Sequence, residues 1–342
     1  MKETVVVEGT PQVVEKEVTK VVEVVVTATP EPTPVVEQKV RIGLSRLALN
    51  IDMTRSSNQD VIVESLIYDP LVRMGADGNP VPSSAISWEA IDPTTWQLRL
   101  REGVKFHNGE EFDADVVKFS LDWYLNPDPD VRIVYSRNLR AIKEVQIVDK
   151  YTVNIITNEP SATLAGNLVW AWMRPPKYSA EVGAEGFAQA PIGTGPFKLV
   201  EFKPDERVIL ERNEDYWAGA PLLETVEFVE MSEQATRMAA LEAGEIDVAE
   251  DMPVDQVQRL QDAGLEIETV AQSAVQTILL VNQKQREEYP FLSDQRVRQA
   301  LNYAVNKEEL VDALMGGLGR PAMGQFVGPD GFGYVPDFAP YE

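Results

Sequence analysis

The chain has 342 residues, 44% of them hydrophobic, a length and composition that favour two or three globular domains. Acidic residues outnumber basic ones 55 to 31 and the formal net charge is -24, which argues against nucleic acid and anionic membrane surfaces as partners. The absence of cysteine excludes disulfides, thiol catalysis and cysteine-ligated metals. The single histidine, His107, argues against a multi-histidine metal centre and against a Ser-His-Asp triad that needs a second histidine.

Residues 1–37 have the composition of an extended tether. They hold seven Glu and three Lys but no aromatic residue, Leu or Ile, and the unit Val-Val-Glu occurs four times. The run TPEPTP at residues 29–34 is stiff and extended. We interpret the segment as a spacer, with a pair of strands as the alternative. No apolar signal region follows Met1 and no lipidation cysteine precedes the spacer, so we expect a mature or truncated form.

The first part of the globular sequence predicts a mixture of strands and helices. Residues 40–44 and 96–100 have the pattern of short strands, and residues 60–67 that of a helix. Asp113 is the predicted N-cap of a helix that Asn126 and Pro127 end. Residues 145–148 and 153–156 predict two more strands around a turn.

Beyond Pro221, strands and helices alternate. Strands are predicted at residues 226–228, 246–248, 265–270 and 278–281. Helices are predicted to begin at Ser232, residue 254, Ser293 and Asn306. This alternation favours a mainly parallel α/β layer, which the chain leaves for an antiparallel β-rich insert and then re-enters. Ligand clefts form where two such lobes meet.

Four stretches carry a more specific signal. They are LREGVKFHNG at 100–109 with ADVV at 114–117, GTGPF at 193–197 through NEDYW at 213–217, AALEAGEID at 239–247, and DQRVRQALNYA at 294–304. In this order they resemble the extracytoplasmic solute-binding proteins of family 5, the oligopeptide- and dipeptide-binding components of ABC importers. The resemblance covers residues from about 40 to 330.

The resemblance implies an α/β, type II periplasmic-binding-protein-like two-lobe fold with an extra domain, as in cluster C, and an incomplete third lobe. Residues 38–58 and 190–270 would form lobe I, residues 59–189 the inserted β-rich lobe II, and residues 271–342 the start of lobe III. The turn at 193–196 would mark the return to lobe I, where Gly193 and Gly195 allow positive φ or close backbone approach. Tyr216 and Trp217 would then plug a surface of lobe I.

The resemblance also implies a function. The protein would capture a solute between closing lobes, most plainly a peptide, and deliver it to the permease subunits of an ABC importer. It would work outside the cytoplasm as a monomer, without cofactor, metal or catalysis, and would touch the membrane only through an N-terminal lipid anchor missing from this sequence. An oligosaccharide or another solute, and a role as a sensor module, remain open alternatives.

The candidate solute ligands fall in three stretches. Arg46, Leu49 and Asn50 follow the first strand, where a cleft-facing loop is expected. Ser273 and Ala274 lie at the expected crossing into lobe III and would offer backbone groups.

The third stretch is WAWMR at residues 170–174. Trp170 and Trp172, at a spacing of two, would face the same way on a strand and stack on a ligand, with core or interlobe packing as the alternative. Arg174, like Arg46, would meet a ligand carboxylate bidentately. His107 is interpreted as a hydrogen-bonding residue of a turn rather than a ligand or base.

Overall fold

The structure of the protein, a computed structural model, describes residues 38–47, 50–52, 61–75, 78–126, 136–268, 287–321, 324–325 and 334–338. The chain divides between Glu37 and Gln38 into two units, and every described residue belongs to the second.

Strands and helices are both well represented in the described residues. The strands are β1 Lys39–Leu44, β2 Val72–Met74, β3 Pro80–Pro82, β4 Ala85–Asp92, β5 Thr95–Leu100, β6 Ile142–Asp149, β7 Thr152–Thr157, β8 Phe197–Lys203, β9 Arg207–Arg212, β10 Thr225–Glu230 and β11 Val248–Ala249. The α-helices are α1 Val61–Ile67, α2 Ala114–Leu125, α3 Ser136–Leu139, α4 Leu164–Asn167, α5 Pro176–Gln189, α6 Gln234–Glu242, α7 Val257–Asp262, α8 Gln295–Tyr303 and α9 Lys307–Met315. Short 3-10 helices span Leu168–Trp170, Val254–Gln256 and Pro290–Ser293.

One sheet has five strands in the order β11-β1-β10-β9-β8. Strand β1 runs parallel to both of its neighbours, β10 and β11, whereas β8, β9 and β10 form an antiparallel meander. A parallel pair needs a crossover connection, and the connection between β1 and β10 contains strands β2 to β9.

A second sheet lies within that crossover. It is antiparallel throughout, in the order β4-β5-β7-β6. Strand β7 alternates buried and half-buried residues, as expected for a sheet with one face on a core. Helix α2 contacts β6 and β7 with its apolar face, and its N-cap Asp113 accepts hydrogen bonds from the amides of Asp115 at 3.0 Å and Val116 at 3.3 Å.

The five-stranded and the four-stranded sheet each have an apolar core of their own. The core of the five-stranded sheet contains Leu44, Leu47, Ile51, Val63, Ile67, Tyr68, Trp172, Phe187, Phe197, Val208, Leu210, Val226 and Phe228. The core of the four-stranded sheet takes its buried side chains from residues 71–173, including Leu98, Phe112, Val117, Leu121, Val153 and Ile155. Burying one such side chain contributes about 1.5–3 kcal/mol. Helix α1 and Trp172 therefore help to stabilise the core of the five-stranded sheet. The proposed lobe boundaries stay a prediction.

The local predictions agree with the structure where a strong sequence signal exists. The strands at residues 40–44, 96–100, 145–148 and 153–156 are confirmed, as is the helix capped by Asp113. The capping prediction at Asn306 is also confirmed, since its Oδ1 accepts a hydrogen bond from the amide of Glu309 at 3.1 Å.

Other boundaries differ from the prediction. Helix α6 follows Glu233 and not Ser232, and α8 is capped by Asp294 and not Ser293. Asp294 is the better acceptor at that position because its ionised carboxylate bonds the Arg296 amide, at 2.9 Å. Residues 265–268 form no strand, and residues 269–270 and 278–281 lie outside the described residues.

Candidate functional site

The loop after β1 is held at the carboxyl ends of three parallel strands. Glu250, which follows β11, accepts hydrogen bonds from the amide and hydroxyl of Ser45, both at 3.0 Å. Glu230, the last residue of β10, accepts one from the Leu47 amide at 2.9 Å. The edge of the sheet where solutes bind in open α/β folds is therefore shaped by two carboxylates that fix the loop backbone.

The predicted residues of this loop have different environments. Arg46 is exposed, and Asn50 is half-buried with its Oδ1 accepting a hydrogen bond from the Asp52 amide at 3.2 Å. Leu49, Ser273 and Ala274 lie outside the described residues. A role of any of these five in solute binding stays a prediction.

The expectation that Trp170 and Trp172 share one face of a strand is wrong. Trp170 ends a 3-10 helix and packs against the four-stranded core. Trp172 is 4% exposed and belongs to the five-stranded core, where its ring meets Tyr68 edge-on with centroids 6.3 Å apart. The two rings separate because the chain crosses from one core to the other at this point.

Arg174 is the most unusual of the predicted residues, because its side chain is almost completely buried. Its guanidinium lies 3.9 Å from the ring centroid of Phe187 and 4.5 Å from that of Trp123. Its Nη1 is 3.7 Å from Oδ1 of Asp52, and both side chains are 1% exposed. The backbone amide of Arg174 donates a hydrogen bond to the Ser120 hydroxyl at 2.9 Å. The arginine thus connects helices α2 and α5 with the segment that follows β1.

Several buried polar groups surround this arginine. Among the described residues, no acceptor meets the guanidinium Nε and Nη1 of Arg174 or the indole Nε1 of Trp123 and Trp172 with hydrogen-bonding geometry. Burial raises the pKa of Tyr68 well above its ordinary value, and the negative charges of Asp52 and Glu64 raise it further. The segment 50–52 and helix α1 therefore bring acidic groups to the same buried region as Arg174.

A second polar centre is the buried carboxylate of Asp69. Its Oδ2 accepts hydrogen bonds from the indole of Trp217 at 2.8 Å and the hydroxyl of Thr194 at 3.1 Å. Its Oδ1 accepts from the Tyr216 hydroxyl at 3.2 Å and from Arg73. Burial raises the pKa of Asp69, and these four partners oppose the rise. The two halves of the GTGPF–NEDYW stretch therefore meet on one carboxylate.

Tyr216 and Trp217 were both expected to pack on a surface of lobe I. For Trp217 the structure shows a different contact. This side chain packs against the four-stranded core, and the guanidinium of Arg101 lies 4.1 Å from its ring centroid. The reason is Asp69, which stands where the chain passes from the five-stranded to the four-stranded core and draws the indole to that boundary.

The two glycines of GTGPF allow close backbone approach. A Cβ on Gly193 would lie 2.1 Å from the carbonyl oxygen of Ile67, and one on Gly195 would lie 2.5 Å from the Ile67 carbonyl carbon. The Gly195 amide donates to the Ile67 carbonyl at 2.9 Å. Of the two readings of these glycines, positive φ and close approach, the second is correct.

His107 closes the same arrangement from the other side. The Gly193 amide donates to its Nδ1 at 3.3 Å, so Nδ1 is unprotonated, and Nε2 donates to the Gly195 carbonyl at 3.1 Å. Burial lowers the pKa of His107 to about 4. Both ring nitrogens are used in holding the turn, in line with the interpretation of His107 as a turn residue.

Three crossing segments therefore lie together between the two cores, at residues 67–71, 171–174 and 193–196. Besides the contacts above, the Leu71 amide donates to the Ala171 carbonyl at 3.0 Å. Sequence reasoning found the glycines and aromatics of this region but missed the buried acids Asp52, Glu64 and Asp69. A clue was present for Asp69 alone, in the Asp-Pro turn at residues 69–70.

The described part of the chain offers neither a cluster of metal ligands nor a membrane-spanning helix. It contains no group of three or more His, Asp or Glu side chains placed to hold a metal ion. None of its helices is long and apolar enough to span a membrane.

Bacterial binding proteins are similar to this chain in sequence and in structure. The glutathione-binding protein GsiB of Pectobacterium atrosepticum is 32% identical over 254 residues, which are 73% of this chain and 48% of that protein. The nickel-binding periplasmic protein of Escherichia coli is 30% identical over 74% of this chain and 48% of its own length. The structure of NikZ from Campylobacter jejuni in complex with Ni(L-His) matches with a TM-score of 0.68 and 27% identity, over 82% of this chain and 56% of NikZ.

These matches confirm the mixed α/β fold of the periplasmic binding proteins. The chain spans about half the length of the curated relatives it matches, at 48% for both GsiB and the nickel-binding protein. The model of the bacterial extracellular solute-binding proteins, family 5 Middle, matches residues 79–342. Because that match covers more than half of the sequence, the chain belongs to the extracellular solute-binding proteins of family 5.

Proposed function

We propose that this protein captures a short peptide outside the cytoplasm and delivers it to the permease subunits of an ABC importer. The observation that carries the proposal is the family match over residues 79–342. The choice of a peptide is supported by GsiB, which is named for binding glutathione, a tripeptide. Other relatives are named for binding nickel and heme, so a test has to distinguish a peptide from these two kinds of solute.

The crossing segments support capture by closure. Two cores connected by several short segments can rotate as bodies about those segments, and hinge motions of this kind enclose ligands. Here the segments are held by backbone hydrogen bonds and by Asp69, so a rotation need not disturb either sheet. Binding without catalysis is also supported by His107, whose ring nitrogens both contact the backbone of the glycine turn.

Further features of the proposed function stay predictions from the family resemblance. They are a monomeric state, attachment to the membrane by a lipid anchor ahead of residues 1–37, and the role of those residues as a spacer. Residues 1–37 hold seven Glu and three Lys, which suits a hydrated spacer.

The test is native mass spectrometry of the protein extended to its natural stop codon, followed by release and identification of the molecule that co-purifies. A ladder of short peptides, or one peptide, is the expected result. A sugar or a metal chelate would keep the importer and exclude the peptide. A protein that stays empty after incubation with peptide and oligosaccharide pools would count against solute capture and favour a sensor module.

A further inference from the structure

Arg237, on helix α6, is a buried arginine that bonds mainly to backbone carbonyls. Its side chain is 0% exposed. The guanidinium Nη1 donates to the carbonyls of Met231 and Ser232, the latter at 3.0 Å. Nε donates to the Glu250 carbonyl at 3.2 Å, and Nη2 donates to the Asp251 carbonyl at 3.3 Å. All three guanidinium nitrogens are therefore used, and the mostly exposed carboxylate of Asp251, 3.6 Å from Nη2, is a weaker partner.

The four carbonyls belong to two segments on opposite sides of strand β1. Residues 231–232 follow β10 and residues 250–251 follow β11, and β1 lies between these two strands in the sheet. The guanidinium of an arginine is a planar fork of five donors that reaches several acceptors at once, whereas a lysine ends in a single nitrogen atom. One side chain thus fixes the spacing of the two segments at the carboxyl end of β1.

The same two segments carry the carboxylates that hold the loop after β1. Glu230 directly precedes the first segment and accepts a hydrogen bond from the Leu47 amide. Glu250 lies in the second segment and accepts from the amide and the hydroxyl of Ser45. The backbone that carries each carboxylate is therefore bonded to Arg237, directly at Glu250 and through the next residue at Glu230.

The second segment depends on such support because Asp251 has a φ of 53°. This left-handed conformation is uncommon outside glycine and persists where neighbouring contacts determine the backbone. The Asp251 carbonyl accepts hydrogen bonds from Arg237 and from Nε2 of Gln234, at 3.3 and 3.2 Å. Loss of the guanidinium would leave this carbonyl with a single partner and loosen the backbone that carries Glu250.

We propose that Arg237 is a positioning residue for solute capture, which acts through Glu230 and Glu250 on the loop after β1. The inference rests on the proposed function, since that loop, with Arg46 and Asn50, is expected to face the solute. Because its side chain is buried and its donors are used, Arg237 shapes the edge of the sheet and does not bind the solute itself. Its replacement should weaken solute binding even in a variant that stays folded.

The first measurement is hydrogen exchange of backbone amides, followed by NMR on the full-length protein. In Arg237→Lys the positive charge stays but only one segment can be bonded, so exchange of the Ser45 and Leu47 amides should rise at least tenfold. Amides within β9, which has a strand on either side, should change by less than twofold. A uniform rise across the sheet, or no rise at the two loop amides, would overturn the proposal, because a general loss of stability opens all amides together.

Arg259→Lys is the matched control for this substitution. Arg259 is half-exposed on α7, and its Nη1 pairs with Glu242 at 2.7 Å. Exchange at the Ser45 and Leu47 amides should stay as in the wild type. A rise in this variant equal to that of Arg237→Lys would also overturn the proposal, because any arginine near the sheet would then have the same effect.

Asp251→Gly provides the test if Arg237→Lys does not fold. Glycine relaxes the left-handed position and so loosens one segment, while Arg237 stays in place. Exchange should rise at least threefold at the Ser45 amide, which Glu250 holds, and stay unchanged at the Leu47 amide. Unchanged exchange at Ser45 would contradict the link between this segment and the loop.

Solute binding is the second readout, by titration calorimetry on protein freed of co-purified solute. The probes are glutathione and an equimolar pool of synthetic tripeptides. We expect Arg237→Lys and Glu250→Ala each to weaken binding at least fivefold, and the double variant to lose no more than the larger single loss, because both act on one loop. Asp113→Ala, which removes a helix cap beside the four-stranded sheet, should bind as the wild type.

Two binding results would overturn the proposal, namely wild-type affinity in folded Arg237→Lys and fully additive losses in the double variant. A wild-type protein that binds neither probe would count against the peptide as solute. Hydrogen exchange at the loop amides would then still decide the role of Arg237, so failure of the inference and failure of the proposed function are seen separately.

Discussion

The carboxylate of Asp69 accepts a hydrogen bond from the indole of Trp217 at 2.8 Å, across 148 positions of the chain. Asp69 stands two residues after the last residue of helix α1, and Trp217 follows β9. Thr194, Tyr216 and Arg73 are further donors to this carboxylate. Asp69 therefore connects the segment where the chain leaves the five-stranded core with the segment where it returns.

Asp69→Asn is expected to destabilise the protein by about 2–3 kcal/mol, because an amide accepts at one atom where the carboxylate accepts at two and leaves buried donors unsatisfied. Chemical denaturation measured by tryptophan fluorescence gives the change. Asp215→Asn is the control, since Asp215 is exposed beside Tyr216 and should change stability by less than about 0.5 kcal/mol. Equal stability of the two variants would show that the buried network contributes nothing measurable.

Gly195→Ala is expected to cost at least about 2 kcal/mol, because its Cβ would overlap the carbonyl group of Ile67 and force two backbone segments apart. Gly166→Ala is the control. A Cβ at Gly166, within helix α4, meets nothing within 4 Å and should be neutral or slightly stabilising. The melting temperatures of both variants decide the matter. A Gly195→Ala variant as stable as the wild type would contradict the close approach at this turn.

His107 makes stability depend on pH. The pKa of His107 in the folded protein, about 4, is lower than its ordinary value of 6.5, so between these values the unfolded chain binds more protons. The contribution of His107 to the free energy of unfolding is therefore complete above pH 6.5. It is lost as the pH falls towards 4, by up to about 3 kcal/mol. Urea denaturation of wild type and His107→Gln at pH 7 and pH 4.5 should show the smaller pH effect in the variant. Parallel curves would argue that another group is responsible.

Asp113→Ala is expected to lower stability by about 1 kcal/mol, the usual effect of losing an N-cap. The first amides of α2 lose their acceptor, and α2 covers the four-stranded core. Asp122→Ala on the same helix is the control. The Asp122 side chain is half-exposed and pairs with the half-exposed Lys118, so the loss of stability should be under half as large. Urea midpoints for the two variants, at equal slopes, give the comparison.

The sequence predicted elements well where the determining contacts are local. Strand alternation at residues 96–100 and the Asp113 cap depend on near neighbours, and both are confirmed. Residues 265–268 belong to a predicted strand at 265–270, yet they form none, because strand formation needs a pairing partner that local sequence does not identify.

The candidate site was less predictable for the same reason. The separation of Trp170 and Trp172 into two cores, and the burial of Asp52 beside Arg174, depend on where the chain crosses between sheets. Spacing within the sequence carries no record of such a crossing. The family resemblance and glycine's tolerance of positive φ or close backbone approach single out Gly193 and Gly195, but only their partner Ile67 shows which of the two applies.

The hydrogen bond between Leu71 and Ala171 has a consequence for engineering. Since the two ends of residues 72–170 meet at 3.0 Å, this stretch can be cut out and another inserted without stretching the remaining chain. Residues 72–170 thus form an exchangeable cassette. Chimaeras that exchange this stretch with the corresponding part of a relative should fold when Asp69, Thr194 and Trp217 are retained. These hydrogen-bonded side chains lie outside the exchanged stretch and hold the segments next to its ends.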